Sequence, residues 1–295
     1  MVKDLTELHC SPKAHVENAE DGNYTCFSKP ELKLLAAEFN KKSPKKIKIT
    51  GKKKEIVNQL LEAYKEVCDK HQFCWIKQTL TDPEKIAKLE KSFRPKMPDS
   101  WNDNPNTWLN TYDILYVMKQ YEDLHKDFVF IGIYPIDFNE SNSFGRCIGD
   151  ILCNFDIKTN ILDKGKKQFG IVFNTDPSTR SGSHWYSMYC NLNPNKKNYG
   201  IYSYDSVANE AQKQVKLFMK KVCDQVNDKK FECKENKIQR QFSNYDCGVY
   251  SMVFITQCLK NIPFKIICEK MQTDKYVNSF RQVLYRPSRI KKNMV

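Results

Sequence analysis

No stretch of this 295-residue chain is apolar enough to cross a bilayer. The most hydrophobic run, FVFIGIYPI (128–136), is nine residues, where a membrane helix needs about 20. The first ten residues, MVKDLTELHC, are charged and lack the apolar core of a secretory signal, so a soluble, non-secreted, cytoplasmic protein is expected. Arginine is scarce, 7 residues against 41 lysines, which weakens a reading built on bidentate phosphate contacts, where arginine is preferred. There is no internal repeat and no low-complexity tract. Cys-x2-Cys pairs are also missing, so Cys68, His71 and Cys74, even joined by Cys10 or Cys26, make a poor zinc site, and no metal or cofactor is assigned. The twelve cysteines are scattered through strand-like and helix-like segments rather than set in a compact framework, and reduced thiols are expected.

What the chain has is concentrated positive charge. Residues 29–54 carry ten lysines against two glutamates, and residues 281–292 carry three arginines and two lysines with no acid; these two segments account for the whole net charge of +13. Such clusters attract phosphates or acidic partners, or form a solvated face. In the first of them, Leu32, Leu35, Ala36 and Phe39 recur at helical spacing behind Ser28 as N-cap, with Pro30 and Glu31 in the first turn. After the connector KKSPKKIKITGKKK, Ile56, Leu60, Ala63 and Val67 repeat the stripe. This helix, basic linker, helix pattern resembles the small SAP-type fold that often binds DNA. Lys45, Lys46, Lys48, Lys52, Lys53 and Lys54 are then candidates for contact with nucleic acid or an acidic partner. The alternative is a pair of short helices packed on a larger domain.

The organisation expected is an N-terminal tail (1–27), a small basic helical domain (28–79), a proline-rich linker (80–107) and a larger domain (108–295). In the last, a helix over 108–125 precedes short β-rich runs, FVFIGIYPI, FGIVFNT, HWYSMYCNL and YGIYSYDS. A helix in EAQKQVKLFMKKVCDQV and a strand near 231–240 follow. The apolar segment CGVYSMVFITQCL then reads as a helix beginning after Asp246. This order is α+β, a mixed sheet with flanking helices.

Chemistry concentrates at QFSNYDCGVYS, Gln241 to Ser251. Asp246 in the N-cap position puts Cys247 in the first helical turn, where the macrodipole favours a thiolate, and Gly248 lets a substrate backbone come close. A buried structural thiol is the other reading. Of five histidines, only His184 lies within the strand block, at a strand start after the polar loop STRSGS. Asp205 ends the next strand in YSYDS, where a carboxylate orients an imidazole. Gln241 offers a side-chain N–H to an oxyanion, beside the backbone N–H of Cys247.

SGSHW, then YDS, then a glutamine six residues before the cysteine of DCG, is similar to the ubiquitin-like-protein (SUMO)-specific cysteine proteases over roughly residues 108–285. NTDPSTRSGSHW most resembles the polyprotein-processing branch in large DNA viruses such as African swine fever virus, which also carries an extra N-terminal helical segment. The resemblance implies a papain-like or adenovirus-protease-like core with His184, Asp205 and Cys247 as triad and Gln241 in the oxyanion hole. It also implies that Trp108 and Trp185 wall a narrow tunnel for a Gly-Gly tail. The implied activity is a thiol endopeptidase that matures viral structural polyproteins in the host cytoplasm and virion. Its alternatives are a SUMO or ubiquitin-like deconjugase, an acetyltransferase using the same triad, and a DNA-binding protein with a vestigial protease domain. SUMO proteases carry an acid three residues after the first tryptophan, where this chain has Thr111, with Asp113 only later.

Overall fold

The computed structural model describes residues 8–271 and 273–288, which divide into two compact units, 8–99 with 282–288, and 100–281. Arg289, Lys291 and Lys292 of the C-terminal basic run lie outside the described residues.

The first unit is helical: α1 (Pro12–Glu17), α2 (Lys29–Lys42), α3 (Lys53–Ala63), α4 (Lys65–Cys68), α5 (Gln72–Thr79) and α6 (Pro83–Glu90). Ser28 caps α2 as expected, in a capping box with Glu31. Leu32, Leu35 and Ala36 meet Ile56, Val57 and Leu60 in a core centred on Trp75 and Phe27. The second expected helix is broken at Tyr64, so the stripe loses register and Val67 is 62 % exposed. Residues 10–27, expected as a tail, contribute Cys10, Ala14, Cys26 and Phe27 to this core. Leu89 and Phe93, from the expected linker, complete it. The turn and proline signals in both segments are real, but buried apolar side chains fix them to the unit.

Three disulfides, Cys10–Cys26, Cys68–Cys74 and Cys147–Cys153, correct the expectation of reduced thiols for six of the twelve cysteines. The sulfurs once weighed as zinc ligands are therefore bonded to each other. Among the described residues, no group of three or more potential ligands is arranged for a metal.

The second unit is built on a five-stranded sheet in the order β1 (Phe128–Tyr134), β2 (Gln168–Asn174), β3 (Trp185–Asn191), β4 (Gly200–Tyr204) and β5 (Glu232–Glu235). The outer pairs β1–β2 and β4–β5 are parallel and the two inner pairs antiparallel. β2 is fully buried and β3 nearly so, because helices cover both faces. One face (Phe169, Ile171, Phe173, Met188, Cys190, Ile201) packs on Val215, Phe218, Met219 and Val222 of α9 (Lys213–Val226). The opposite face meets α10 (Cys247–Leu259), whose Phe254 stacks on Tyr204 and whose Ile255 approaches Gly170. A helix apolar on all sides belongs in such a central position. Nearly all of α10 is buried. Three further helices, α7 (Thr111–Leu124), α8 (Ile157–Asn160) and α11 (Phe264–Lys270), pack around the sheet, and α12 (Asp274–Leu284) leads the chain out. No helix among the described residues is long and apolar enough to cross a membrane.

Candidate active site

Antiparallel pairing puts the beginning of β3 against the end of β4, with Ser187 opposite Tyr204. His184, just before β3, therefore meets Asp205, just after β4, and their Nε2 and Oδ1 atoms are 2.8 Å apart. The loop ahead of the histidine is closed by Thr175, whose N–H donates to the His184 carbonyl, and by Gly182. Gly182 has φ +93° and lies so close to the Asn174 amide that a Cβ has no room. Asp205 is nearly buried, and its Oδ1 also accepts from the Val207 N–H at 2.9 Å. Asn236 donates from Nδ2 to the Asp205 carbonyl at 2.8 Å.

Cys247 is the first residue of α10 and only 3 % exposed. Burial disfavours a charge on His184, but hydrogen bonds to Asp205 and then to Cys247 outweigh it, raising the imidazole from 6.5 to about 10. Because Nε2 is taken by Asp205, Nδ1 is the ring atom left for the sulfur. The arrangement favours an imidazolium beside Cys247 and ahead of a helix N-terminus.

Asp246 occupies the N-cap position of α10, but its side chain does not cap the helix. It is fully buried and accepts from Arg281 Nε at 3.2 Å, Asn278 Nδ2 at 3.0 Å and Ser243 Oγ at 3.1 Å. Arg281, counted in the sequence as part of a basic run for a partner, is instead 4 % exposed. Its two terminal nitrogens donate to the carbonyls of Tyr245 and Thr107, and its guanidinium lies over the Trp101 ring. It therefore ties the segment before Cys247 to the segment before Trp108. A signal for this existed: Val277, Arg281 and Leu284 share one helical face, and both neighbours are core residues.

Gln241 is buried next to this pair. Its Oε1 accepts from Ser206 Oγ at 2.6 Å and its Nε2 donates to the Ser243 carbonyl at 2.6 Å, while its own N–H donates to the Ser206 carbonyl. Trp185 is half-buried and donates from Nε1 to the Leu109 carbonyl at 3.0 Å; neighbouring Trp108 is 46 % exposed. Gly248 was expected to make room for substrate. Its missing Cβ instead makes room for the protein itself, since a Cβ there would lie 3.0 Å from Leu109 Cδ1 and 3.3 Å from Trp185 Cδ1. Asp113, the acid nearest after Thr111, accepts from the Asn110 N–H in the capping box of α7.

Of the candidate lysines, Lys45, Lys46, Lys48, Lys52 and Lys54 are exposed. Lys46 donates to the carbonyls of Asn40 and Ser43, and Lys53 is held by Asn18 and Asp21 over the Tyr24 ring.

A thiol at a helix start, an imidazole and a carboxylate stand together on a mixed sheet, and the chain is similar in sequence to proteins named as thiol or cysteine proteases. The crystal structure of the African swine fever virus protease shares the fold, with a TM-score of 0.59 at 19 % identity, over 89 % of this chain and 92 % of that one. In sequence the chain is 27 % identical to a putative thiol protease of Acanthamoeba polyphaga mimivirus, over 96 % of this chain and 95 % of the relative. It is 26 % identical to an African swine fever virus SUMO-1 cysteine protease, over 44 % of this chain and 48 % of the relative, which is about half that protein's length. Residues 148–292 also match the family described as YopJ serine/threonine acetyltransferase. The resemblance to viral members of the SUMO-protease type is thus carried by sequence, and the fold is shared: the relatives are named a putative thiol protease and a SUMO-1 cysteine protease, both of viruses.

Proposed function

We propose that the chain is a cysteine endopeptidase that cuts after Gly-Gly sites and matures a viral structural polyprotein. The observation that carries this is the His184–Asp205 pair hydrogen-bonded to a thiol at the start of α10. In the proposed mechanism His184 takes the proton of Cys247, and the thiolate attacks the carbonyl carbon of the glycine before the scissile bond. The oxyanion takes the Cys247 backbone N–H and the second N–H of Gln241 Nε2, whose first is committed to Ser243. His184 then gives its proton to the leaving amine, and water activated by the same ring releases the acyl group. Trp185, fixed by its bond to Leu109, and the exposed Trp108 would confine the glycine tail.

A panel of Gly-Gly-X peptides incubated with the full chain, with and without prior alkylation, tests the reading. Cleavage abolished by alkylation and by Cys247→Ser supports it, and no cleavage of any member sinks it. A SUMO conjugate run beside the panel separates deconjugation from endoproteolysis; one relative is named a SUMO-1 cysteine protease. The match to acetyltransferases supports a second reading, acyl transfer from acetyl-CoA by the same triad. Peptide hydrolysis without acetyl-CoA would exclude it. Lys45, Lys48, Lys52 and Lys54 add an accessory contact with nucleic acid or an acidic partner.

A further inference from the structure

Six thiols remain free, and two of them outside the triad region, Cys223 and Cys233, interact from neighbouring elements that wall one cavity. Cys223 sits in the last turn of α9 and Cys233 is the second residue of β5, joined by a short connection that turns at Asn227. The Cys223 thiol donates a hydrogen bond to the Cys233 sulfur, which favours the thiolate at Cys233 and disfavours it at Cys223. Cys233 is exposed and opens into a surface cavity of about 470 Å³ walled by Lys216, Met219, Lys220 and Lys234. Lys216, Lys220 and Lys234 are paired with Glu210, Asp224 and Glu232, so the cavity offers space more than net charge. Cys190, in register with Ile201 and Cys233 across the sheet, is fully covered and cannot be reached by a reagent.

We propose that Cys223 and Cys233 are a reversible thiol–disulfide site, with Cys233 as the attacking sulfur and Cys223 as the resolving one. The co-reactant is a low-molecular-weight disulfide of the glutathione class. The Cys233 thiolate attacks one of its sulfurs, forming a mixed disulfide and expelling a thiolate. The Cys223 thiolate then attacks the Cys233 sulfur and expels the second. Two protein thiols are oxidised to one disulfide, the reagent is reduced to two thiols, and the two protein protons pass to the leaving thiolates. The bond staples edge strand β5 to α9. Three residues on, Asn236 donates to the carbonyls of Ser203 and Asp205, and Gln241 binds Ser206 soon after. The staple therefore holds the strand from which the segment bracing the catalytic pair departs.

The test uses the full chain carrying Cys247→Ser, so that the nucleophile does not consume reagent. It is titrated with oxidised glutathione, the remaining thiols are blocked, and the peptides are mapped. The expected result is a Cys223–Cys233 linked peptide that forms before any other thiol reacts. It is accompanied by a rise in Tm that reduction reverses. Adding Cys223→Ser should trap one glutathione on Cys233; adding Cys233→Ser should leave Cys223 unmodified. A Cys233→Ser chain that reacts at Cys223 as fast as the parent, or a glutathione that stays on Cys233 with Cys223 present, would overturn the proposal. A link that leaves Tm unchanged would overturn the staple. None of these readouts depends on the protease reading.

Discussion

Replacing Asp205 with asparagine keeps the shape of the side chain and removes the charge that holds His184 protonated. The imidazole is raised from 6.5 to about 10 against the opposing effect of its own burial, with the Asp205 hydrogen bond first among the causes and Cys247 second. A rise of that size corresponds to about 5 kcal/mol of preference for the charged ring, an order-of-magnitude figure shared between the two partners. Loss of the Asp205 part should cut kcat/KM by about 10²–10⁴-fold, the range that general acid–base positioning supplies. The pH profile is the sharper readout. In the wild type the imidazolium should persist until the pH nears 10, so the alkaline limb of Cys247 alkylation by iodoacetamide should lie there; in Asp205→Asn it should move well toward neutral. The sign for stability follows from the same shift. A group raised on folding stabilises fully below its unfolded value, near 6.5, and loses that contribution as the pH climbs through about 10. Wild-type Tm should therefore fall toward that of Asp205→Asn between pH 6.5 and 10. Superimposable alkylation profiles for the two proteins would refute the argument that Asp205 sets the protonation of His184.

Trp185→Ala should lower kcat/KM for Gly-Gly-X and narrow the gap to Gly-Ala-X, a methyl discrimination worth about 1–3 kcal/mol, or roughly 10–200-fold; equal losses on both peptides would reduce the ring to packing. Arg281→Met leaves Asp246 charged and buried with its ion-pair partner gone, at a cost of about 3–5 kcal/mol in denaturant unfolding, and Asp246→Asn on the same chain should recover part of it. Converting Lys45, Lys48, Lys52 and Lys54 to glutamine should weaken DNA binding and flatten its salt dependence while peptide cleavage continues; an unchanged salt slope would dissociate this face from phosphate binding.

The candidate site residues were legible because their chemistry is local. A histidine opening a strand, an aspartate closing the next and a cysteine opening an apolar helix are each visible in a few letters. The strand runs were likewise set by apolar, β-rich composition, and α10 by a mostly apolar stretch. Tertiary structure alone decided what depends on residues far apart in the chain. It turned residues 10–27 and 80–93 from tail and linker into core, because Phe27, Leu89 and Phe93 are buried only when the helices meet. It paired six cysteines whose proximity no spacing rule specified. It gave the Gly248 gap to Leu109 and Trp185, and it withdrew Arg281 from the surface charge to neutralise Asp246. Sequence sets which side chains carry charge, a thiol or an imidazole; which of them lose water and face one another is fixed by packing, since burial and Coulomb interaction act through distances in space rather than along the chain.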